Sequence, residues 1–220
     1  KSEIESFCVE GSEGLGAVDM RQVAKVILRY DPNSLLHGLF LAKKELAKGR
    51  LKLPRIVSGF IEARDVRPAE SGGVKNDRVN PSGETKIGYG NVPFHRTEYV
   101  AKSITAFFSL DLTLMRSYGL GESVENLLTA LAFWKIQSLL AGALRLRTAC
   151  DLTCESLKVT APKGYTLPTL EDLTNAMQGL IAANAAFFAQ PPITDVVWDP
   201  AVAKAKAKDK PDEEAEDEEE

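Results

Sequence analysis

The sequence predicts an α+β fold, and three observations carry that prediction. Apolar residues recur at helical spacing before residue 50 and again after Ser123. A long period-two alternation of apolar and small or polar residues runs from Val100 to Leu114. A glycine-rich insertion, Ser71–Arg96, separates two strand-like stretches. The resulting order is a helix pair, strands, a long insertion, a strand, a helix, a strand and a helix. Among α+β architectures this order suggests a ferredoxin-like split βαβ arrangement.

Asp19 followed by Gln22 forms a capping-box-like start, and Val23, Val26, Ile27 and Tyr30 then share one helical face. Asp31-Pro32 interrupts that helix. Asn33 or Ser34 can cap a second one through Leu36, Leu39, Phe40 and Ala47, with Gly49 as its stop. Leu51–Arg67 reads as a strand pair or one bent strand, with Pro54 at an edge and Gly59 as a bulge. Val100–Leu114 reads as a strand with one buried face, longer than usual and so bent or extending beyond its sheet. Ser123 is the expected cap of a helix that aligns Val124, Leu127, Leu128, Leu131 and Trp134. Leu144–Thr160 reads as strand, with Leu146, Cys150, Leu152 and Val159 as its apolar positions. Glu171–Phe188 is a final helix, begun near Thr169 and ended by Gln190-Pro191-Pro192.

Composition sets the boundaries. Residues 1–200 read as one domain, with an insertion at about 68–96, and 201–220 as a charged tail too acidic to bury apolar area, hence disordered. The first residue is Lys, which points to an excerpted chain whose amino-terminal portion is missing. No apolar run reaches the ~20 residues that span a bilayer and no secretory segment opens the chain, so a cytoplasmic protein without membrane contact is expected. Cys8, Cys150 and Cys154 form no disulfide framework, and with only His37 and His95 beside them they offer no workable set of four zinc ligands. Neither a metal nor a cofactor is expected. The net charge of −4 conceals an asymmetry. Residues 204–220 carry four Lys and nine Asp or Glu, whereas residues 43–102 carry 13 basic and seven acidic side chains. A basic middle beside an acidic end points to a polyanionic partner.

The insertion, SGGVKNDRVNPSGETKIGYGNVPFHR, holds five glycines, three asparagines and five cationic or imidazole side chains. Glycine permits close backbone approach to a ligand, and Asn, Lys and Arg supply donors for phosphate oxygens. Neither GGVKND nor GETKIGYG has the spacing or terminal GK[ST] of a phosphate-binding P-loop. No Ser-His-Asp or Cys-His arrangement shows a nucleophile elbow. Phe107 and Phe108 lack the consensus of an RNA-stacking sheet, and Phe108 is more simply core.

Three strings, DMRQVAKVILRYDPNSLLHGLFLA, SGGVKNDRVNPSGETKIGYGNVPFHRTEY and LRLRTACDL, resemble the CRISPR-associated RAMP family whose members form the backbone of type I-U (I-G) Cascade complexes. The resemblance runs from about Glu13 to Leu157. It implies an RRM-like, ferredoxin-like core, longer at the amino end, with the insertion as a protruding thumb-like hairpin joined through Asn80-Pro81-Ser82-Gly83. It also implies a non-catalytic subunit that polymerises along CRISPR RNA. Its partners would be the guide, target DNA through the guide heteroduplex, copies of itself and other Cascade subunits. On this reading the RNA-binding residues are Lys75, Asn76, Arg78, Asn80, Lys86, Tyr89, His95, Arg96, Arg145 and Arg147.

Several of these keep an alternative. Tyr89 either stacks on a base or packs on its own hairpin. Arg145 and Arg147 point to one face of a strand and either meet phosphate or pair with Asp151 and Glu155. His95 is a phosphate or structural contact, or else the general acid/base of a metal-independent endoribonuclease that processes precursor RNA. The sequence supplies no convincing second group for that chemistry. A third reading makes the chain a protein scaffold whose acidic tail is the working part.

Overall fold

Two aspartates shape the first corner of the chain. A computed structural model describes residues 4, 8–9, 17–42, 46, 49–76, 78–87, 89–147, 150–193 and 195. The acidic tail, and the part of the expected second helix at Ala47, lie outside them. A short ladder pairs β1 (Cys8–Val9) with β2 (Ala17–Val18). Asp19 then caps α1 (Met20–Tyr30), accepting from Arg21 N at 3.0 Å and Gln22 N at 3.2 Å. Asp31 closes α1 and opens α2 (Pro32–His37), where it accepts from Asn33 N at 3.0 Å and Ser34 Oγ at 2.6 Å. Proline at the first helical position has no N–H to leave unsatisfied, so the corner is stable where a continuous helix is not.

The second helix stops a full ten residues before its expected end. Gly38 has φ +83 and donates its N–H to Ser34 O, which ends α2. Leu39–Leu41 is strand β3, paired antiparallel with β4 (Leu51–Leu53). Leu39, Phe40 and Ala47 fit a helical spacing, but the positive φ at Gly38 and the cross-strand pairing override it. Leu51 and Leu53 are buried and Lys52 is exposed, so the hairpin has one apolar and one solvent face.

Beyond Ile56, β5 (Val57–Arg64) pairs with β8 (Ser103–Leu110), and β6 (Arg67–Asn76) pairs with β7 (Asn91–Val100). The expected single strand Val100–Leu114 is therefore three pieces: the end of β7, all of β8 and the start of a helix. Asp111 makes the last break by capping α3 (Leu112–Ser117), accepting from Leu114 N at 2.8 Å. Period two survives at Ala106, Phe108 and Leu110, which are half-buried beside exposed odd neighbours. Gly59 is no bulge, since it pairs in unbroken register with Phe108. A Cβ there would sit 2.9 Å from Phe107 O and 3.0 Å from the Phe108 ring, so the glycine makes room for its cross-strand phenylalanine.

α4 (Glu122–Ala141) starts after Gly121 rather than at Ser123, with no side-chain cap and with Glu122 and Glu125 in its first turn. β9 (Leu144–Arg147) and β10 (Cys150–Leu152) form a small hairpin, and the chain from Thr153 to Pro168 is irregular instead of strand. α5 (Leu170–Ala183) opens with the capping box of Thr169 and Asp172 and packs along α4. Trp134 Nε1 donates to Thr174 Oγ1 at 3.0 Å, and Gln137 Nε2 to Pro168 O at 2.9 Å. Buried Asn184 ties the end of α5 to the start of α4 by donating to Ser123 O at 3.2 Å.

The core gathers Val23 and Leu28 of α1, Leu35 and Leu36 of α2, Ile56, Met115 of α3, and Val124 and Leu128 of α4. Tyr118 is buried at its margin and donates to Pro54 O at 3.3 Å, with burial pushing its phenol above the ordinary range. The architecture is mixed helix and strand, and each described strand has one partner, giving five two-stranded antiparallel ladders.

The corner gives a test. Asp31→Ala is expected to cost about 1 kcal/mol in urea unfolding, the usual worth of a helix cap. The Ser34 hydroxyl, with help from Asn33, holds the Asp31 carboxyl below the ordinary aspartate value of 3.8. Its contribution is thus present above pH 3.8 and lost as the pH falls through the lower folded value. The gap between parent and variant should narrow over that acid range.

Candidate nucleic-acid interface

The glycine-rich insertion is a ladder and not an open loop. Lys102 N donates to Arg64 O at 3.0 Å across the break between the two ladders, so β5–β6 and β7–β8 form one ribbon interrupted at Asp65, whose φ is +52. Eight residues of β5 and ten of β6 give the arm about 60 Å of contour at ~3.3 Å per residue. No residue of β5–β8 is fully buried.

Because partners in a ladder share a face and successive pairs alternate, the outer ladder has two chemically different sides. One carries Arg67 with Val100, Ala69 with Glu98, Ser71 with Arg96, Gly73 with Phe94, and Lys75 with Val92. The other carries Pro68 with Tyr99, Glu70 with Thr97, Gly72 with His95, Val74 with Pro93, and Asn76 with Asn91. The expected RNA-binding residues are therefore divided. Lys75 and Arg96 share the first side, while Asn76 and His95 lie on the second.

Gly73 does for Phe94 what Gly59 does for Phe108. A Cβ at Gly73 would lie 3.1 Å from the Phe94 ring, so the ring rests over bare backbone and stays 49% exposed beside Lys75 and Arg96. Arg96 Nη1 lies 3.1 Å from Glu98 Oε1, and Lys75, Arg78 and Lys86 have no carboxylate within 4 Å among the described residues.

Arg78, Asn80, Lys86 and Tyr89 occupy the connection at the tip. Asn80 O accepts from Gly83 N and Gly90 N, both at 3.1 Å, which closes the turn. Thr85–Ile87 forms one 3-10 turn that displays Lys86. Tyr89 sets its Cβ against Gly83 and leaves its ring half-exposed, so it packs on its own hairpin without being hidden.

On the second side, His95 Nε2 lies 2.9 Å from Glu70 Oε2, and Glu70 also accepts from Thr97 Oγ1 at 3.1 Å. Glu70 is the partner that the sequence did not reveal for His95, because only the strand register brings residues this far apart together. Arg145 and Arg147 stand apart on the β9–β10 hairpin. Arg145 Nε lies 3.7 Å from Asp151 Oδ1 in an exposed pair, while the Arg147 side chain lies outside what is described.

Residues 3–68 match the family model described as CRISPR-associated protein GSU0053. The likeness over these residues is to a CRISPR-associated family. It covers under a third of the chain and ends at Pro68, the second residue of β6, so the rest of β6, the tip and all of β7 lie beyond it. No curated protein matches the sequence. No helix among the described residues is long and apolar enough to cross a membrane.

The tip turn depends on Gly90, where φ is +71 and a Cβ would lie 2.6 Å from Gly83 O. Gly90→Ala should open the turn. Limited trypsin digestion is expected to cleave after Arg78 and Lys86 several-fold faster than in the parent, with the helical core left intact.

Proposed function

We propose that the chain is a non-catalytic CRISPR RNA-binding backbone subunit of a type I-U Cascade complex, built on a ferredoxin-like RAMP core. In this reading it binds as repeated copies along the guide, contacts other Cascade subunits and meets target DNA through the heteroduplex. The observation that carries it is the ribbon: a long two-stranded arm, exposed on both sides, with cations at its tip and along one face. A two-stranded hairpin alone is marginal in water, so an arm of this length fits a segment that is stabilised against a partner.

A subunit repeated along a guide of arbitrary sequence must hold what every nucleotide shares and leave base edges free for pairing. Lys75, Arg78 and Lys86 suit phosphate, and Phe94 and Tyr89 offer faces on which any base stacks, worth roughly 1–3 kcal/mol each where a base does so. Lys75→Ala with Arg78→Ala should strip guide RNA from the purified complex and shorten the filament. The log–log salt slope for single-stranded RNA should flatten by about 1.4, two contacts at ~0.7 each. Unchanged retention and slope would sink this reading.

The contact between His95 and Glu70 supports a second reading, a metal-independent endoribonuclease, since a carboxylate can orient an imidazole for proton transfer. His95→Ala separates the two. Lost cleavage of precursor RNA with retained binding favours the nuclease, whereas the backbone reading expects no cleavage from either protein.

A further inference from the structure

We infer that the outer face of the β3–β4 hairpin is a second binding site for single-stranded nucleic acid, at the opposite end of the ribbon from its tip. The register sets Phe40 directly across from Lys52. Leu51 and Leu53 turn inward to the core, so Lys52 is forced outward, and Phe40 beside it is 58% exposed. An aromatic ring in that place is not explained by packing, because the other face of the same hairpin holds Leu39 and Leu41 against the core.

Two arginines flank the pair. Arg50 immediately precedes β4, and Arg55 follows Pro54 just beyond it, both exposed. None of Arg50, Lys52 and Arg55 has a carboxylate within 4 Å among the described residues. Residues 43–55 carry six basic side chains against Glu45 alone, a steeper concentration of positive charge than the outer ladder has. The outer ladder and its tip, residues 67–100, hold five Lys or Arg against four Asp or Glu.

The chemistry fits one ligand class. Guanidinium and ammonium groups spaced along a short strand match successive phosphates, and an exposed ring between them matches an unstacked base. A duplex keeps its bases stacked and offers no face to Phe40, so the site selects single strands. The eight-residue inner ladder and the outer ladder beyond it separate this site from Arg78 and Lys86, so the two ends engage different stretches of nucleic acid.

The test is a titration of the full chain with fluorescein-labelled oligouridine over a salt series, read by anisotropy. Lys52→Glu with Arg55→Glu should weaken binding by about tenfold at low salt and flatten the salt slope by about 1.4. The loss should persist in a Lys75→Ala/Arg78→Ala background, whose own effect reports on the ribbon separately. Lys158→Glu with Lys163→Glu makes the same charge change at exposed positions elsewhere and should do far less. Phe40→Trp, read as the difference from the parent with its own Trp134 and Trp198, should show added emission that is quenched by the oligomer and by no equal concentration of a hairpin duplex. Equal losses from both charge reversals, or unquenched tryptophan emission, would overturn the site. So would an effect that vanishes on removing residues 209–220, because the patch would then hold the chain's own acidic segment.

Discussion

Ile56 is the root from which the whole outer half of the molecule extends. Its side chain is buried to 1% exposure in the core. Its N–H donates to Leu36 O at 3.0 Å, and its C=O accepts from Asp111 N at 2.9 Å. One residue thus joins the α2 corner, the start of β5 and the cap that ends β8. Val57 and Leu110, the first cross-strand pair beyond it, still pack against the core. Farther out the arm relies on cross-strand pairs such as the stacked rings of Phe60 and Phe107, whose centroids are 4.9 Å apart. Apolar burial is concentrated in the body and at the root, and the arm is free to carry polar and charged chemistry because it is not asked to fold the protein.

Ion pairs along the arm have a different use from stabilisation. Arg96 with Glu98, and His95 with Glu70, are exposed, and pairs of that kind contribute about 1 kcal/mol at most. Their effect is to partition charge. Glu98 offsets Arg96 on the side that holds Lys75 and Arg67, leaving that side cationic, whereas the other side sets the contact of Glu70 with His95 among Pro68, Tyr99, Val74 and Pro93. A single hairpin thereby presents one side with a surplus of cations and one side of mixed composition.

Much of the body was legible in the sequence because its signals are local. Asp19 and Thr169 announce their helices through side-chain caps that act over two or three residues. Asp31-Pro32 marks the break between α1 and α2, although Asp31 caps α2 in place of the expected Asn33 or Ser34. The apolar stripe of Val124, Leu127 and Leu128 needs only its own spacing. Misreadings arose where a distant residue decides. Leu39 and Phe40 fit a helix until β4 pairs with them. Gly59 and Gly73 look like loop or bulge glycines until Phe108 and Phe94 are placed opposite. At the candidate site, the tip cations were evident from composition, but the division of Lys75 from His95 between two faces was not, nor was Glu70 as the partner of His95. Both follow from a register that sequence alone does not state.

That same register constrains how the arm can vary. Loop 77–90 can change length by any number of residues and leave the pairing of Arg67 with Val100 untouched. A single residue gained or lost within β6 would instead exchange its two sides, turning Glu70 toward the side of Arg96 and Lys75 away from it. Related arms should therefore differ in reach by two-residue steps along the strands and by arbitrary steps at the tip. Parity, more than sequence identity, is the property that inheritance must preserve here.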